Sequence, residues 1–166
     1  PLLPNTKKSV YITLSHRGYG SPSSTRLLSN YYYLRERITQ KFTTNVFVKI
    51  YDSSDPCMSY LTQMEIAARS DIIIAEHGEF IANLMYMRPY SLLIDIVGNY
   101  RNVDSLKSFE CLAKNFLVFR VPVTAHNLTE HNKDTFGISE NETTLIIEMI
   151  DSYLQNFLHF GIIASF

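Results

Sequence analysis

Polar side chains that could take part in binding or catalysis lie in or directly after two apolar, strand-like stretches of this sequence. His77 and Gly78 come directly after the apolar run at 72–75, and Asp95 lies inside the apolar run at 92–97. An imidazole beside a helix N-terminus can donate a hydrogen bond to a phosphate. A carboxylate at a strand end can accept hydrogen bonds from ribose hydroxyls. The same residues also fit a structural histidine and a buried ion-pair partner, so both interpretations stay open.

A glycine- and hydroxyl-rich loop follows the first apolar run. Residues 15–26 include two arginines, Arg17 and Arg26, around the start of a predicted helix. Backbone N–H groups at a helix N-terminus suit an anion, and a guanidinium adds paired donors for phosphate oxygens. The loop matches neither a dinucleotide-binding glycine motif nor a P-loop. A loop with solvated arginines is therefore the alternative to an anion-binding loop.

These loops connect strands and helices that alternate along the chain. Apolar runs predict strands at 10–14, 46–51, 72–75, 92–97 and 116–121, and helical spacing predicts helices at 24–41, 58–68, 78–87, 106–114 and 145–158. Such alternation produces a mainly parallel, Rossmann-like α/β sheet of about five strands with helices on both faces. Ligands of these sheets lie beyond the carboxyl ends of the strands. We therefore expect Arg17, Arg26, His77 and Asp95 around one cleft.

Composition limits the classes of function. The chain has 166 residues, 46% hydrophobic and 19% charged, with a net charge of −1, which is typical of one globular domain and disfavours nucleic acid as a partner. Cys57 and Cys111 form no CxxC pair, so neither a zinc site nor a redox motif is indicated. No apolar run reaches the about 18 residues of a membrane span, so this segment is expected to make no membrane contact.

Three further stretches are assigned to packing or to the surface. The tyrosine run at 31–33 is predicted to lie mid-helix in partial contact with the core, as are Met85 and Met87. The polar stretch at 123–140 is predicted to be a surface loop. The closing helix carries an apolar stripe formed by Leu145, Ile146, Met149, Ile150, Tyr153, Leu154, Phe157 and Leu158.

The order of these motifs resembles glycosyltransferase family 61, which includes protein O-linked N-acetylglucosamine transferases and plant xylosyl or arabinosyl transferases. The resemblance covers residues 10–97. Its parts are the stretch TRLLSN at 25–30, the Ser-x-x-x-Gln pattern at 59–63 and the stretch SDIIIAEHG at 70–78, continued by Asn83, Met87, Pro89 and Asp95.

The resemblance implies the nucleotide-sugar-binding lobe of a two-lobed GT-B enzyme, inverting and independent of metal or other cofactors. The donor would be a nucleotide sugar, expected to be a UDP-sugar, and the acceptor a hydroxyl of a protein or glycan. By resemblance the donor site comprises Arg17, Arg26, His77, Gly78, Asn83 and Asp95, of which Arg17, Arg26 and His77 face the diphosphate. No catalytic base is assigned, and His77 is the one candidate. In a eukaryote the resemblance implies the lumen of the endoplasmic reticulum or Golgi, where the Asn-x-Thr triplets at Asn127 and Asn141 could carry glycans.

The sequence departs from the family pattern after the His-Gly pair. Glu79 and Phe80 replace small residues, and a carboxylate beside a diphosphate is repulsive. The alternative function is therefore a non-catalytic, family-derived binding or scaffold domain with a degraded donor site. A further alternative is an α/β hydrolase that uses His16, His77 and Asp95 with a metal, although no His-x-x-x-His spacing supports it. Because an acceptor lobe normally precedes this one, the chain is expected to be part of a longer protein.

Overall fold

The computed structural model of the chain describes residues 9–16, 27–43, 45–52, 59–77, 83, 85–97, 117–122 and 135–159. Its strands are β1 (Val10–His16), β2 (Leu27–Leu28), β3 (Val46–Asp52), β4 (Ile72–Glu76), β5 (Leu92–Val97), β6 (Leu117–Pro122) and β7 (Thr135–Phe136). Its helices are α1 (Tyr31–Lys41), α2 (Tyr60–Arg69) and α3 (Glu140–His159). The predicted helix at 106–114 lies outside the described residues, as does most of the one at 78–87.

Five of the strands form one parallel sheet in the order β3-β1-β4-β5-β6. The register pairs Val10 with Val46, Ile12 with Ile72 and Leu92 with Leu117. β3 lies on one side of β1, and the later strands follow on the other side. This is a doubly wound order whose direction reverses between β1 and β4, and ligands of such sheets bind outside the carboxyl ends of the strands at that reversal. The predicted parallel α/β sheet is confirmed.

Helices cover both faces of this sheet. Side chains alternate between faces along each strand, so Ile74 packs in one core cluster with Leu34 of α1 and Ile146 of α3. Its neighbour Ile73 packs in a second cluster with Ala67 of α2. Burying each large aliphatic side chain stabilises the fold by about 1.5–3 kcal/mol relative to exposure. The sheet is therefore the middle layer, and its carboxyl edge is a rigid platform.

The first helix is shorter than its apolar spacing predicts, so the predicted start at residue 24 is wrong. Leu27–Leu28 forms a strand that pairs in parallel with β7. The side chain of Asn30 then donates to the carbonyl of Ile138 at 2.8 Å and accepts from its N–H at 2.9 Å. These long-range contacts hold the backbone extended before α1, which local spacing could not reveal.

The closing helix begins with a capping box. The hydroxyl of Ser139 accepts from the N–H of Glu142 at 3.3 Å, and the Glu142 carboxylate accepts from the N–H of Ser139 at 2.6 Å. The predicted loop at 123–140 is thus corrected, since its end contains β7 and the start of α3. Asn141 lies exposed in the first turn of this helix, whereas Asn127 lies outside the described residues.

Two predicted core residues are exposed. Leu145 is 40% exposed, although Ile146, Ile150 and Leu154 of the same helix are buried. Met85 is 49% exposed, whereas Met87 is buried in the α2-side core. The tyrosine run starts α1 rather than lying in its middle.

No helix in the described part of the chain is long and apolar enough to cross a membrane.

Candidate functional site

His77 and Asp95 meet at the carboxyl edge of the sheet. Nδ1 of His77 lies 3.1 Å from Oδ2 and 3.2 Å from Oδ1 of Asp95, and the His77 backbone N–H donates to the carbonyl of Ile96 at 2.9 Å. The side chain of His77 is 12% exposed and that of Asp95 is fully buried. Because a carboxylate only accepts hydrogen bonds, Nδ1 carries the hydrogen. Asp95 therefore orients the imidazole, as a structural ion-pair partner would.

A second histidine–carboxylate pair lies at the switch point between β1 and β4. Nδ1 of His16 lies 3.3 Å from Oε1 of Glu76, and their side chains are only 5% and 2% exposed. The N–H of Leu28 donates to the same Oε1 at 2.7 Å. The His16 ring stacks on Tyr31 of α1, with ring centroids 3.7 Å apart. This pair thus ties three segments together at the place where ligands of doubly wound sheets bind.

The second oxygen of this buried glutamate is the unusual atom of the site. Oε2 of Glu76 is buried and has no hydrogen-bond partner among the residues that the structure describes. Leaving a buried polar atom without a partner costs about 1–3 kcal/mol, and more for a charged group. An unsatisfied buried group in a native protein calls for an explanation. One explanation is that the group interacts with a ligand.

The two pairs lie on opposite faces of the sheet. Glu76 follows the alternation of Ile72 and Ile74, so its side chain points to the α1 and α3 side, where His16 stacks on α1. Asp95 alternates with Ile94, so its side chain and the His77 ring lie on the α2 side. The carboxyl edge of β4 therefore carries an imidazole on one side and a carboxylate on the other.

Asn83, a residue of the predicted donor site, contacts α2. Its Nδ2 donates to Oε1 of Gln63 at 3.3 Å, and its Oδ1 is buried without a hydrogen-bond partner in the described part of the chain. Gln63 lies in the first turns of a helix whose N-cap, Ser59, accepts from the N–H of Thr62 at 3.1 Å. Two separate parts of the family-like pattern, the helix at 59–63 and Asn83, are thus in contact.

The predicted site residues divide into two groups. His77, Asn83 and Asp95 are described, and His77 and Asp95 are in direct contact. Arg17, Arg26 and Gly78, together with Glu79 and Phe80, lie outside the described residues, so the predicted common cleft stays a prediction. His16 is paired with Glu76 on the opposite face from His77, so the three residues of the hydrolase alternative do not converge.

A metal centre can be considered only for the described residues. Among them, no group of three or more His, Cys, Asp or Glu side chains is placed to hold a metal ion.

Glu76 is the residue that sequence reasoning left without a role. The sequence does contain a feature that could have indicated a role for Glu76. This carboxylate follows the apolar run at 72–75 directly and precedes His77. Period-two alternation puts these neighbours on opposite faces. What spacing could not show is that β1 lies beside β4, which brings His16 and Leu28 to the same carboxylate.

Known proteins add no further constraint on this site. No protein-family model matches the chain, and no curated protein matches it significantly. The chemistry of the site therefore has to be argued from its own geometry. That geometry offers an oriented imidazole and a buried carboxylate with an unsatisfied oxygen at the carboxyl edge of one parallel sheet. It also offers a partly satisfied amide in contact with α2.

Proposed function

We propose that this chain is the nucleotide-sugar-binding lobe of a glycosyltransferase, which holds a UDP-sugar for inverting transfer to a hydroxyl of a protein or glycan. The observation that carries the proposal is the contact of His77 with Asp95 at the carboxyl edge of β4 and β5. Doubly wound sheets bind nucleotides beyond the carboxyl ends of their strands at the switch point, and β4 is one of the two strands that border that point. The family-like pattern at 10–97 supplies the substrate class.

In this proposal His77 contacts the diphosphate of the donor. Asp95 engages Nδ1 of His77, and the diphosphate contact is assigned to Nε2. Nε2 donates a hydrogen bond only when the ring carries both hydrogens, and the buried carboxylate balances the charge of such a ring. Negative charge grows on the diphosphate as the bond to the sugar breaks. A hydrogen-bond donor that is already held in position for that charge lowers the activation barrier.

The remaining roles follow the resemblance. Arg17 and Arg26 neutralise the leaving diphosphate, which is the task that a divalent metal performs in other transferases, so metal-independent transfer is expected. Gly78 and Asn83 complete the donor site. The base that deprotonates the acceptor hydroxyl belongs to an acceptor lobe, and in a eukaryote transfer takes place in the lumen of the secretory pathway.

A second candidate is a family-derived binding or scaffold domain that has lost its donor. Two observations favour it. Both oxygens of Asp95 lie within hydrogen-bond distance of Nδ1 of His77, so the carboxylate that the resemblance assigns to a hydroxyl is already engaged. Glu79 places a negative charge next to Gly78 in the sequence, and like charges repel.

Titration calorimetry of uridine diphosphate separates the two candidates. Arg26→Ala removes a charge-assisted contact worth about 1.5–3 kcal/mol, so affinity should fall by about tenfold or more. Glu79→Ala should tighten binding because it relieves repulsion. Arg35→Ala, which changes an exposed arginine on α1, is the matched control and should leave affinity unchanged.

The outcomes differ for the two candidates. Binding by the wild type that is weakened by Arg26→Ala supports the donor lobe. Recovery of binding only in Glu79→Ala supports the domain that has lost its donor. If none of the folded proteins binds, even with the upstream lobe supplied, the glycosyltransferase proposal has no support.

A further inference from the structure

The buried carboxylate of Glu76 sits at the switch point with one oxygen occupied and one not. Oε1 accepts from Leu28 N–H at 2.7 Å and lies 3.3 Å from Nδ1 of His16. Oε2 has no hydrogen-bond partner among the described residues, and Glu76 is 3% exposed. A carboxylate removed from water in this way needs a donor at its second oxygen. The site therefore has an acceptor oxygen that a ligand can satisfy.

The charge of Glu76 decides which part of a ligand it can meet. A diphosphate in direct contact with Oε2 would be strongly repelled by the charge of the carboxylate, whereas at Asp95 the imidazole of His77 would stand between the two. Hydroxyl groups carry hydrogen-bond donors without negative charge, and bonds from hydroxyls to a carboxylate are among the stronger ones. Glu76 thus suits a sugar ring next to the diphosphate rather than the diphosphate itself.

We propose that Glu76 accepts hydrogen bonds from the ribose hydroxyls of the nucleotide, a role that the resemblance gives to Asp95. This inference rests on the proposed function. Both oxygens of Asp95 lie within hydrogen-bond distance of Nδ1 of His77, so Asp95 serves as a positioning residue for the imidazole. Oε2 of Glu76, in contrast, has no hydrogen-bond partner among the described residues. The ligand then straddles the carboxyl edge of β4, with its diphosphate toward His77 and its ribose toward Glu76.

His16 and Tyr31 hold the proposed ribose acceptor in place. The His16 ring is fixed between the Glu76 carboxylate and the stacked ring of Tyr31. Leu28, which shares Oε1, is buried in the main core. His16 and Leu28 both contact Oε1 and thereby fix the plane of the carboxylate, which also fixes the position of Oε2. Recognition of a hydroxyl needs an acceptor that is positioned in advance in this way.

The test compares uridine diphosphate with its 2′,3′-dideoxy analogue by titration calorimetry. A site built to bond ribose hydroxyls should bind the analogue at least about tenfold more weakly, because losing a hydrogen bond to a charged group costs about 1.5–3 kcal/mol. In Glu76→Gln the amide oxygen takes the place of Oε1 on Leu28 N–H, which puts an NH2 donor where Oε2 was. The preference for the ribose form should then fall to less than about threefold.

Two further variants complete the design. Glu76→Asp keeps the charge but shortens the side chain, so its preference should also shrink. Glu65→Gln changes an exposed glutamate on α2 that pairs with Arg69, and it should keep the wild-type preference. Circular dichroism verifies that each variant is folded.

Each outcome decides the inference. Equal binding of the two nucleotides by the wild type overturns it and leaves the donor-lobe proposal intact, and this comparison needs no variant. A preference that persists in folded Glu76→Gln also overturns it, since another group then recognises the ribose hydroxyls. If the wild type binds neither nucleotide, the inference falls together with the proposed function.

Discussion

Glu76 and His77 are consecutive in the chain, but their side chains lie on opposite faces of the sheet. Glu76 contacts His16 on the side of α1, and His77 contacts Asp95 on the side of α2. Both residues mark the carboxyl edge of β4, next to the switch point with β1. One strand end thus carries an acidic group on one face of the sheet and a basic group on the other.

The first prediction concerns the contribution of the contact between His77 and Asp95 to stability. Asp95→Asn keeps the shape of the side chain but removes the buried charge, so the free energy of unfolding should fall by about 1–3 kcal/mol. Urea denaturation monitored by circular dichroism measures this loss. Asp151→Asn on α3 is the control and should change stability by less than about 0.5 kcal/mol. Equal midpoints for Asp95→Asn and the wild type would show that the ion pair contributes nothing to the fold.

The second prediction compares two leucines of α3. Leu154 is 7% exposed and packs in the main core, whereas Leu145 is 40% exposed. Leu154→Ala should lower the free energy of unfolding by about 2–5 kcal/mol. Leu145→Ala should change it by about 0.5 kcal/mol or less. Similar losses for both variants in urea denaturation would contradict the orientation of this helix.

The third prediction tests the capping box of α3. Ser139→Ala removes the acceptor for the N–H of Glu142, and losing an N-cap costs about 0.5–2 kcal/mol. Thermal denaturation should show a lower midpoint for this variant. Ser152→Ala makes the same chemical change at an exposed position inside the helix and should not lower the midpoint. A midpoint for Ser139→Ala at the wild-type value would mean that the box is dispensable.

The fourth prediction is a loss of stability at alkaline pH. Burial, followed by the negative charge of Asp71, raises the pKa of Tyr153 to about 12. The unfolded tyrosine ionises near pH 10, so above that pH the unfolded chain loses a proton that the folded chain keeps. The stabilising contribution is therefore complete below about pH 10 and is lost as pH rises toward 12, by up to about 1.4 kcal/mol per pH unit.

Tyr153→Phe measures this contribution directly. Urea denaturation at pH 9 and pH 11 should show a smaller alkaline loss in this variant than in the wild type. Tyr32→Phe, at a residue that is 63% exposed, should keep the wild-type loss. Identical pH dependence in all three proteins would rule out Tyr153 as the source.

The sequence by itself determined the class of fold. The run at 72–75 is apolar without alternation, which predicts a strand covered on both faces, and Ile73 and Ile74 do pack into the two separate cores. The same logic predicted β1, β3, β5 and β6, and the helical stripe predicted α3. The spacing of apolar residues along the chain indicates which side chains are buried, so these elements could be predicted from the residues alone.

Tertiary structure decided which polar groups meet. His16 and Glu76 are 60 residues apart in sequence, and they are in contact because β1 pairs with β4 on one side while it pairs with β3 on the other. Leu27–Leu28 forms a strand instead of a helix turn because β7 and Asn30 supply distant hydrogen-bond partners. Hydrogen bonds and ion pairs act only over a few ångströms. Their partners therefore depend on strand order and on the face to which each side chain points, which one-dimensional spacing does not contain.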